Sequence, residues 1–289
     1  MGEKRLYVTI DTEMDANIHW KKAWPPEYSS IYEGIPEYFR PLWNKYNVHP
    51  IYFLSPEILM DEACCEILRG EISNGAIMGA HLHPEYIEPE MNYEEGRQTR
   101  ASQFPCSAYS TEIEKAKIKN LTNLIQEKLL VRPVWYRAAR FGADEDTYHS
   151  LEELGYEHES SVTPGIDWSD RGGINYKGFP TASYQIQGTN IIEHPITISG
   201  KRWGLLGKLT PENWLFYKWL RPSHMTYFGM KELLKKLLKQ ENHEFVMMFH
   251  SMEIMINKTP FVRTKWMQKY YLWRLEKILR YCSHKCISM

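Results

Sequence analysis

Residues 77–84 read Ile77-Met78-Gly79-Ala80-His81-Leu82-His83-Pro84, an apolar run closed by two imidazoles and stopped by a proline. Taken as a strand, the run sends successive side chains to opposite faces. His81 and His83 then stand together at the strand end, and Leu82 turns into the packing. Paired neutral imidazoles are a common zinc-ligand arrangement. Two surface histidines flanking a turn would give the same letters, so the pair gains its meaning from what surrounds it.

Outward from this run, short apolar segments alternate with amphipathic ones. Strands are expected at Leu6 to Ile10, Pro50 to Leu54, Ala76 to His81, Val134 to Arg137, Tyr156 to Ser160, Asn190 to Glu193 and Phe245 to Phe249. Apolar residues at three- and four-residue spacing predict helices over Ile35 to Tyr46, Ser55 to Arg69, Thr111 to Leu130, Asp144 to Leu154, Met230 to Gln240 and Lys265 to Tyr281. Seven strands alternating with helices indicate an α/β fold, a parallel (β/α)7 barrel in one domain spanning residues 1–289. Two irregular insertions, around 85–110 and 200–226, have the length of loops that shape a binding site.

The polar residues collect at one place in this pattern. Asp11 and Glu13 follow the first strand, His81 and His83 end the third, Arg137 and Arg140 follow the fourth, and His250 ends the last. These are all C-terminal strand ends, the rim on which barrel enzymes assemble their chemistry from several strands.

Composition narrows the function classes. A net charge of -1 with no strong basic tract argues against nucleic acid as the partner. The lysine-rich region from Lys231 onward reads as a solvated helix face. No run of 18 apolar residues occurs, so no transmembrane segment is expected, and the direct entry into a strand pattern points to a cytoplasmic protein. Five cysteines without framework spacing suit a reducing compartment. Cys282-x-His284-x-Cys286 is a weak metal clip, at a chain end and without a second ligand pair.

The motifs resemble, in order, those of the polysaccharide deacetylases of carbohydrate esterase family four, which share the nodulation-deacetylase homology domain. Thr9-Ile10-Asp11-Thr12-Glu13 is similar to the family's Thr-Phe-Asp-Asp-Gly. Gly79 to His83 resembles its two-histidine motif, and Tyr136 to Gly142 its arginine motif. Asp167-Trp168 resembles a remnant of the fourth, and Met247 to Ser251 the last, an apolar strand ending in histidine. His81 to Pro84, Arg221-Pro222 and Phe249-His250-Ser251-Met252-Glu253 also resemble a cytoplasmic branch of surface-glycan biosynthesis.

The resemblance implies a distorted barrel of the deacetylase type that hydrolyses an N-acyl, most simply N-acetyl, group on an amino-sugar. The substrate is expected in surface polysaccharide or lipopolysaccharide biosynthesis, with nucleotide-linked, lipid-linked and free forms left open. It also implies a divalent ion, Zn²⁺ or another transition metal. In the family the first aspartate is the general base and the second a metal ligand. Asp11 matches the first, but Thr12 stands in the second position, and a hydroxyl is a poor zinc ligand. Glu13, two residues from Asp11 and on the same face, is the substitute, with exchanged roles for Asp11 and Glu13 left open. The family's second histidine position falls on Glu85; His83, sharing a face with His81, is preferred, and Glu85 is the alternative.

The expected roles are therefore Glu13, His81 and His83 on the metal, Asp11 as base, Arg137 holding Asp11 ionised, and His250 as acid. Arg140 and Trp168 are expected to contact substrate, with Trp203 a further stacking candidate. Asp15 and His19 are cleft candidates, Glu253 is placed to orient His250 or Arg140, and His194 is a supporting candidate. Two other readings stay open: a deformylase or other amide hydrolase of the same fold, and a non-catalytic glycan-binding descendant.

Overall fold

The computed structural model describes residues 3–22, 25–92, 109–201, 216–240 and 243–289. In chain order the strands are β1 (Arg5–Thr12), β2 (Ile51–Leu54), β3 (Ile77–Leu82), β4 (Trp135–Ala138), β5 (His158–Glu159), β6 (Tyr184–Gln185), β7 (Ile192–Glu193), β8 (Ile198–Lys201), β9 (Tyr217–Trp219) and β10 (Glu244–His250). The α-helices are α1 (Arg40–Tyr46), α2 (Glu62–Ser73), α3 (Thr111–Leu129), α4 (Glu145–Glu153), α5 (Tyr227–Lys239) and α6 (Lys265–His284).

Eight strands form one sheet in the order β10-β1-β2-β3-β4-β5-β7-β6, and every pair but the last is parallel. The seven expected strands are all present, and they are the seven parallel ones. The sheet curls so far that residues after β7 meet β10 from the other side: the Thr197 amide donates to the Val246 carbonyl at 3.1 Å. A deacetylase-type (β/α) barrel results, distorted in that the connection from β5 to β7 holds no α-helix, only the short 3-10 turn Ser169–Arg171 and the strand β6.

Strand alternation sorts the side chains into two layers. Leu6, Val8 and Ile10 of β1 join Met78, Ala80 and Leu82 of β3 in the large core beneath the helices. Tyr7, Thr9 and Asp11 face inward, as do Gly79, His81 and, one residue past β3, His83. Gly79 has a steric reason to be glycine. A Cβ there would lie 2.7 Å from the Phe53 ring and 3.1 Å from the Trp135 carbonyl. The Phe53 ring that fills this space carries the Arg137 guanidinium, 4.2 Å from its centroid.

Three local features depart from the periodicity. The first helix is preceded by a π-helical stretch, Ser30–Phe39, which contains Pro36; proline removes a backbone donor and unsettles regular α bonding. The segment expected as one helix from Ser55 is broken into a 3-10 turn, Pro56–Met60, and α2, which starts after the Asp61 cap. The two-stranded β8-β9 sheet occupies the described ends of the second insertion, where helical or strand periodicity is too short to read.

Candidate active site

The inward parity of β1 and β3 builds the centre of the site. Asp11 and Glu13 face the interior, whereas Thr12 between them spends its hydroxyl on the Ile10 carbonyl at 3.0 Å. His81 Nε2 lies 3.2 Å and His83 Nε2 3.1 Å from the same oxygen, Glu13 Oε1. The two rings meet edge to face at 5.0 Å, as the shared strand face requires.

This trio has the donor set of a metal site. His81 Nδ1 lies 2.8 Å from the Arg137 carbonyl, which can only accept, so Nδ1 carries the hydrogen and Nε2 presents its lone pair inward. His83 Nδ1 is likewise turned to a carboxylate, Glu85 Oε1, at 3.4 Å. Such outer partners are what orient metal-binding imidazoles. Two atoms each bonded at about 2.0–2.1 Å to one centre are about 2.9 Å apart at a right angle and about 3.4 Å apart at the tetrahedral angle. The observed separations fall in that interval, and among the described residues Glu13, His81 and His83 are the one group of three or more donors that close. The residues fit a divalent ion.

Charge around the trio is balanced. The Lys22 ammonium donates to Glu13 Oε2 at 2.5 Å and to the Met14 carbonyl at 2.9 Å, leaving Oε1 for the histidines. Burial opposes ionisation of Glu13, but Lys22 and the histidines overcome it and hold its pKa well below the ordinary value. At His83 burial disfavours the imidazolium, yet the carboxylates of Glu13 and Glu85 outweigh it and push the pKa up to about 9.

Across the cleft stands the second group. Arg137, fully buried, donates through Nη1 to Asp11 Oδ1 at 2.6 Å and to Thr9 Oγ1 at 3.0 Å. Its Nε and Nη2 donate to the Ser160 carbonyl at 2.7 Å and to Ser160 Oγ at 2.8 Å. Burial raises the Asp11 pKa, and the Arg137 charge more than reverses this, so Asp11 is held ionised. His250 Nε2 comes within 4.0 Å of Asp11 Oδ2 and 3.7 Å of Glu13 Oε1. Behind the ring, Glu253 Oε1 lies 3.1 Å from His250 Nδ1 and also accepts from the His250 amide at 3.0 Å and from Arg221. Glu253 thus orients His250, one of its two expected roles; its other partner is Arg221 rather than Arg140.

The cleft is about 320 Å³ and collects the expected Asp11, Glu13, His81, His83, Arg140, Trp168 and His250 on its walls. Arg140 has a left-handed backbone (φ 59°) and pairs with Glu85, so Glu85 stands behind His83 and beside Arg140. Trp168 is nearly buried and donates its indole N–H to Thr163 Oγ1 at 2.9 Å. Lys22, Trp20, Tyr86, Arg171, Trp219 and Arg221 also line the cleft and were not among the expected site residues. They come from loops and from β9, where no periodicity announces a direction; only Arg221-Pro222 carried a motif.

Other candidates lie elsewhere. Asp15 is fully buried and is used by Ser29 Oγ and the Ser30 amide, a loop-fixing role. His19 is exposed and Asp167 pairs with Lys177 at 3.2 Å, both off the cleft wall. His194 directly follows β7 but packs against Tyr7, Trp135 and His158, residues near the starts of β1, β4 and β5, and does not line the cleft. Trp203, Cys106 and much of both insertions lie outside the described residues.

No family model matches the chain, and no curated protein matches it. Solved structures do. A protein from Mycobacterium smegmatis described as a polysaccharide deacetylase is 14% identical, covering 99% of this chain and 87% of its own, with a TM-score of 0.52. A GH57 branching enzyme from Thermococcus kodakaraensis is 11% identical over 99% of this chain and 69% of its own, with a TM-score of 0.55. The 4-alpha-glucanotransferase from Thermococcus litoralis gives 14% identity and a TM-score of 0.56, covering all of this chain but 39% of its own length. At these identities the likeness is one of fold, a (β/α) barrel shared by deacetylase-type and glycan-remodelling proteins.

Proposed function

We propose that this chain is a metal-dependent hydrolase that removes an N-acyl group, N-acetyl in the simplest case, from an amino-sugar. The observation that carries the reading is the convergence of Glu13, His81 and His83 on one point, with Asp11 and His250 facing the same space. Glu13, His81 and His83 would hold a divalent ion, which when bound polarises an acyl oxygen and acidifies a water. Asp11, one oxygen tied down by Arg137, keeps Oδ2 free to take the water's proton. His250, steadied through Nδ1 by Glu253, turns Nε2 to the position where the departing amine needs a proton. Trp20 and Trp168 line the cleft where a sugar ring would lie, and Arg140 and Arg171 offer hydrogen bonds to its polar edge.

The fold is equally compatible with glycosidic-bond chemistry, as its likeness to the branching enzyme and the glucanotransferase makes plain. The site favours amide hydrolysis. Glycoside cleavage by a carboxyl pair needs one member held protonated. Asp11, Glu13 and Glu85 are instead all held below their ordinary pKa by neighbouring cations, which leaves no carboxylic acid among the described residues of the cleft to protonate a leaving oxygen.

The test is release of acetate or formate from N-acylated amino-sugars presented free, nucleotide-linked and lipid-linked, before and after chelation and Zn²⁺ restoration. Release lost on chelation and regained with metal supports the reading. Turnover untouched by chelator, in protein shown to contain no stoichiometric metal, overturns it.

A further inference from the structure

The outer face made by α5 and α6 carries a feature that the cleft does not explain. Five rings follow one another across both helices. Phe228 and Tyr227 lie 5.2 Å apart, Tyr227 and Trp273 5.9 Å, Trp273 and Tyr270 5.7 Å, and Tyr270 and Trp266 5.5 Å between centroids. Trp266 is 71% and Phe228 69% exposed, at positions where each turns away from the core. On α6 the buried stripe runs through Tyr271, Leu275, Ile278 and Cys282. Trp266, Tyr270, Trp273 and Lys277 repeat at four, three and four residues, a second stripe beside the first and directed to solvent.

Cations interleave with these rings. Arg274 sits 4.6 Å from the Tyr270 centroid, Lys277 5.9 Å from Trp273, and Lys231 5.7 Å from Tyr227. Together α5 and α6 carry nine Lys and Arg residues against two acids, a net of +7 in a chain whose total is -1, so the remainder is -8. The two acids are already paired, Glu232 with Lys235 at 2.9 Å and Glu276 with Lys45 at 2.5 Å.

We propose that this aromatic and cationic face is a docking surface for an anionic lipid bilayer. Tryptophan, tyrosine and phenylalanine rings settle at the headgroup level of a membrane, and lysine and arginine reach from among them to lipid phosphates. A nucleic acid suits the face less well, since its phosphates would satisfy the cations and leave Trp266 and Phe228 in water. The contact is peripheral, for no helix of the described residues is long and apolar enough to cross a membrane. Helix α6 follows β10 and α5 leads into it, so both first turns lie at the rim where β10 delivers His250. Docking through Phe228 and Trp266 would bring the cleft mouth to the headgroup layer. The inference stands on these two helices and is independent of the hydrolytic reading.

The experiment is co-sedimentation of the full chain with phosphatidylcholine vesicles, with and without phosphatidylglycerol, at low and high salt. Binding to phosphatidylglycerol vesicles, weakened by salt, is expected. The exposed pair Trp266→Ala with Phe228→Ala should lower partitioning at least about tenfold, and Lys231→Gln and Lys277→Gln about fivefold each. Unchanged thermal melting of the variants keeps these losses interpretable. No binding to anionic vesicles overturns the proposal, as does binding that the ring variants leave intact. Equal and ring-independent binding of a soluble polyanion such as heparin would mark the face as an electrostatic patch only, and so would also overturn it.

Discussion

Asp11 and Arg137 meet at 2.6 Å across the barrel interior, although β2 and β3 lie between their strands in the sheet. The pair is sealed, with Arg137 fully buried and Asp11 2% exposed. Removing one partner leaves the other charge stranded, which costs about 3–5 kcal/mol at such sites. Arg137→Met should destabilise the fold by that amount in denaturant titration and raise the Asp11 pKa. A variant that melts like the parent would refute the structural half of this argument.

Metal affinity should follow pH through His83. Its pKa, raised to about 9, means that a proton occupies Nε2 below that value, and a divalent ion seated among Glu13, His81 and His83 has to displace it. Zinc affinity should then rise about tenfold per pH unit between roughly pH 6 and 8. Calorimetric titration in buffers of different ionisation enthalpy reads both the slope and the released proton. A flat affinity would exclude His83 as a ligand.

Asp11→Asn and His250→Gln should each lower turnover by about a hundred- to ten-thousand-fold while metal content stays at the parent level. Glu13→Gln should lose the metal itself. Activity and elemental analysis of the same preparations separate proton transfer from ligation. Equal metal loss in all three would mean that the roles are not divided in this way.

The carboxyls of Glu159 and Glu193, neighbours across β5 and β7, are both fully buried. Burial, then the Glu159 charge, holds the Glu193 pKa well above the ordinary value. A carboxyl whose pKa is raised by folding contributes stability below its unfolded pKa and loses it as pH rises toward the folded value. Glu193→Gln removes that penalty, so its stability advantage over the parent should widen from acid to alkaline pH. Melting curves across that range decide it, and a gap that narrows with pH would contradict the assignment.

Two glycines make an opposed pair. At Gly79 an added Cβ meets Phe53 at 2.7 Å, so Gly79→Ala should cost about 1–3 kcal/mol. At Gly70, inside α2, the nearest neighbour is the Arg40 side chain at 3.5 Å, so Gly70→Ala should gain about 0.5–1 kcal/mol. Denaturant midpoints that move in the same direction would show that the packing around Gly79 yields.

What was legible in the sequence follows from strand parity. Period-2 alternation fixes direction, so His81 with His83, and Asp11 with Glu13, could be assigned to one face from spacing alone. The compressed His-x-His brings both Nε2 atoms to Glu13 Oε1 because both rings leave the strand on the same side, and the proline behind them ends it. Lys22 was invisible for the opposite reason. It reaches Glu13 from the loop between β1 and the π-helical stretch, where Ala16 and Lys22 form an isolated antiparallel bridge, and nothing in the local pattern gives that loop a direction. His194 does follow a strand, as its place before Pro195 suggested, but β7 is only two residues long and its alternation is too short to show that the ring packs against Tyr7 and Trp135 instead of lining the cleft.

The distribution of residues around the cleft has a consequence for how such a protein can change. Asp11, His81 and His250 of the cleft wall, with Arg137 behind Asp11, belong to strands, while Trp20, Lys22, Trp168 and Arg221 sit in connections and Arg171 ends a short 3-10 turn. On the proposed function, the reacting groups are thereby anchored to the sheet and substrate recognition to replaceable segments. Exchanging loops would then change what is bound while the reacting groups stay in register.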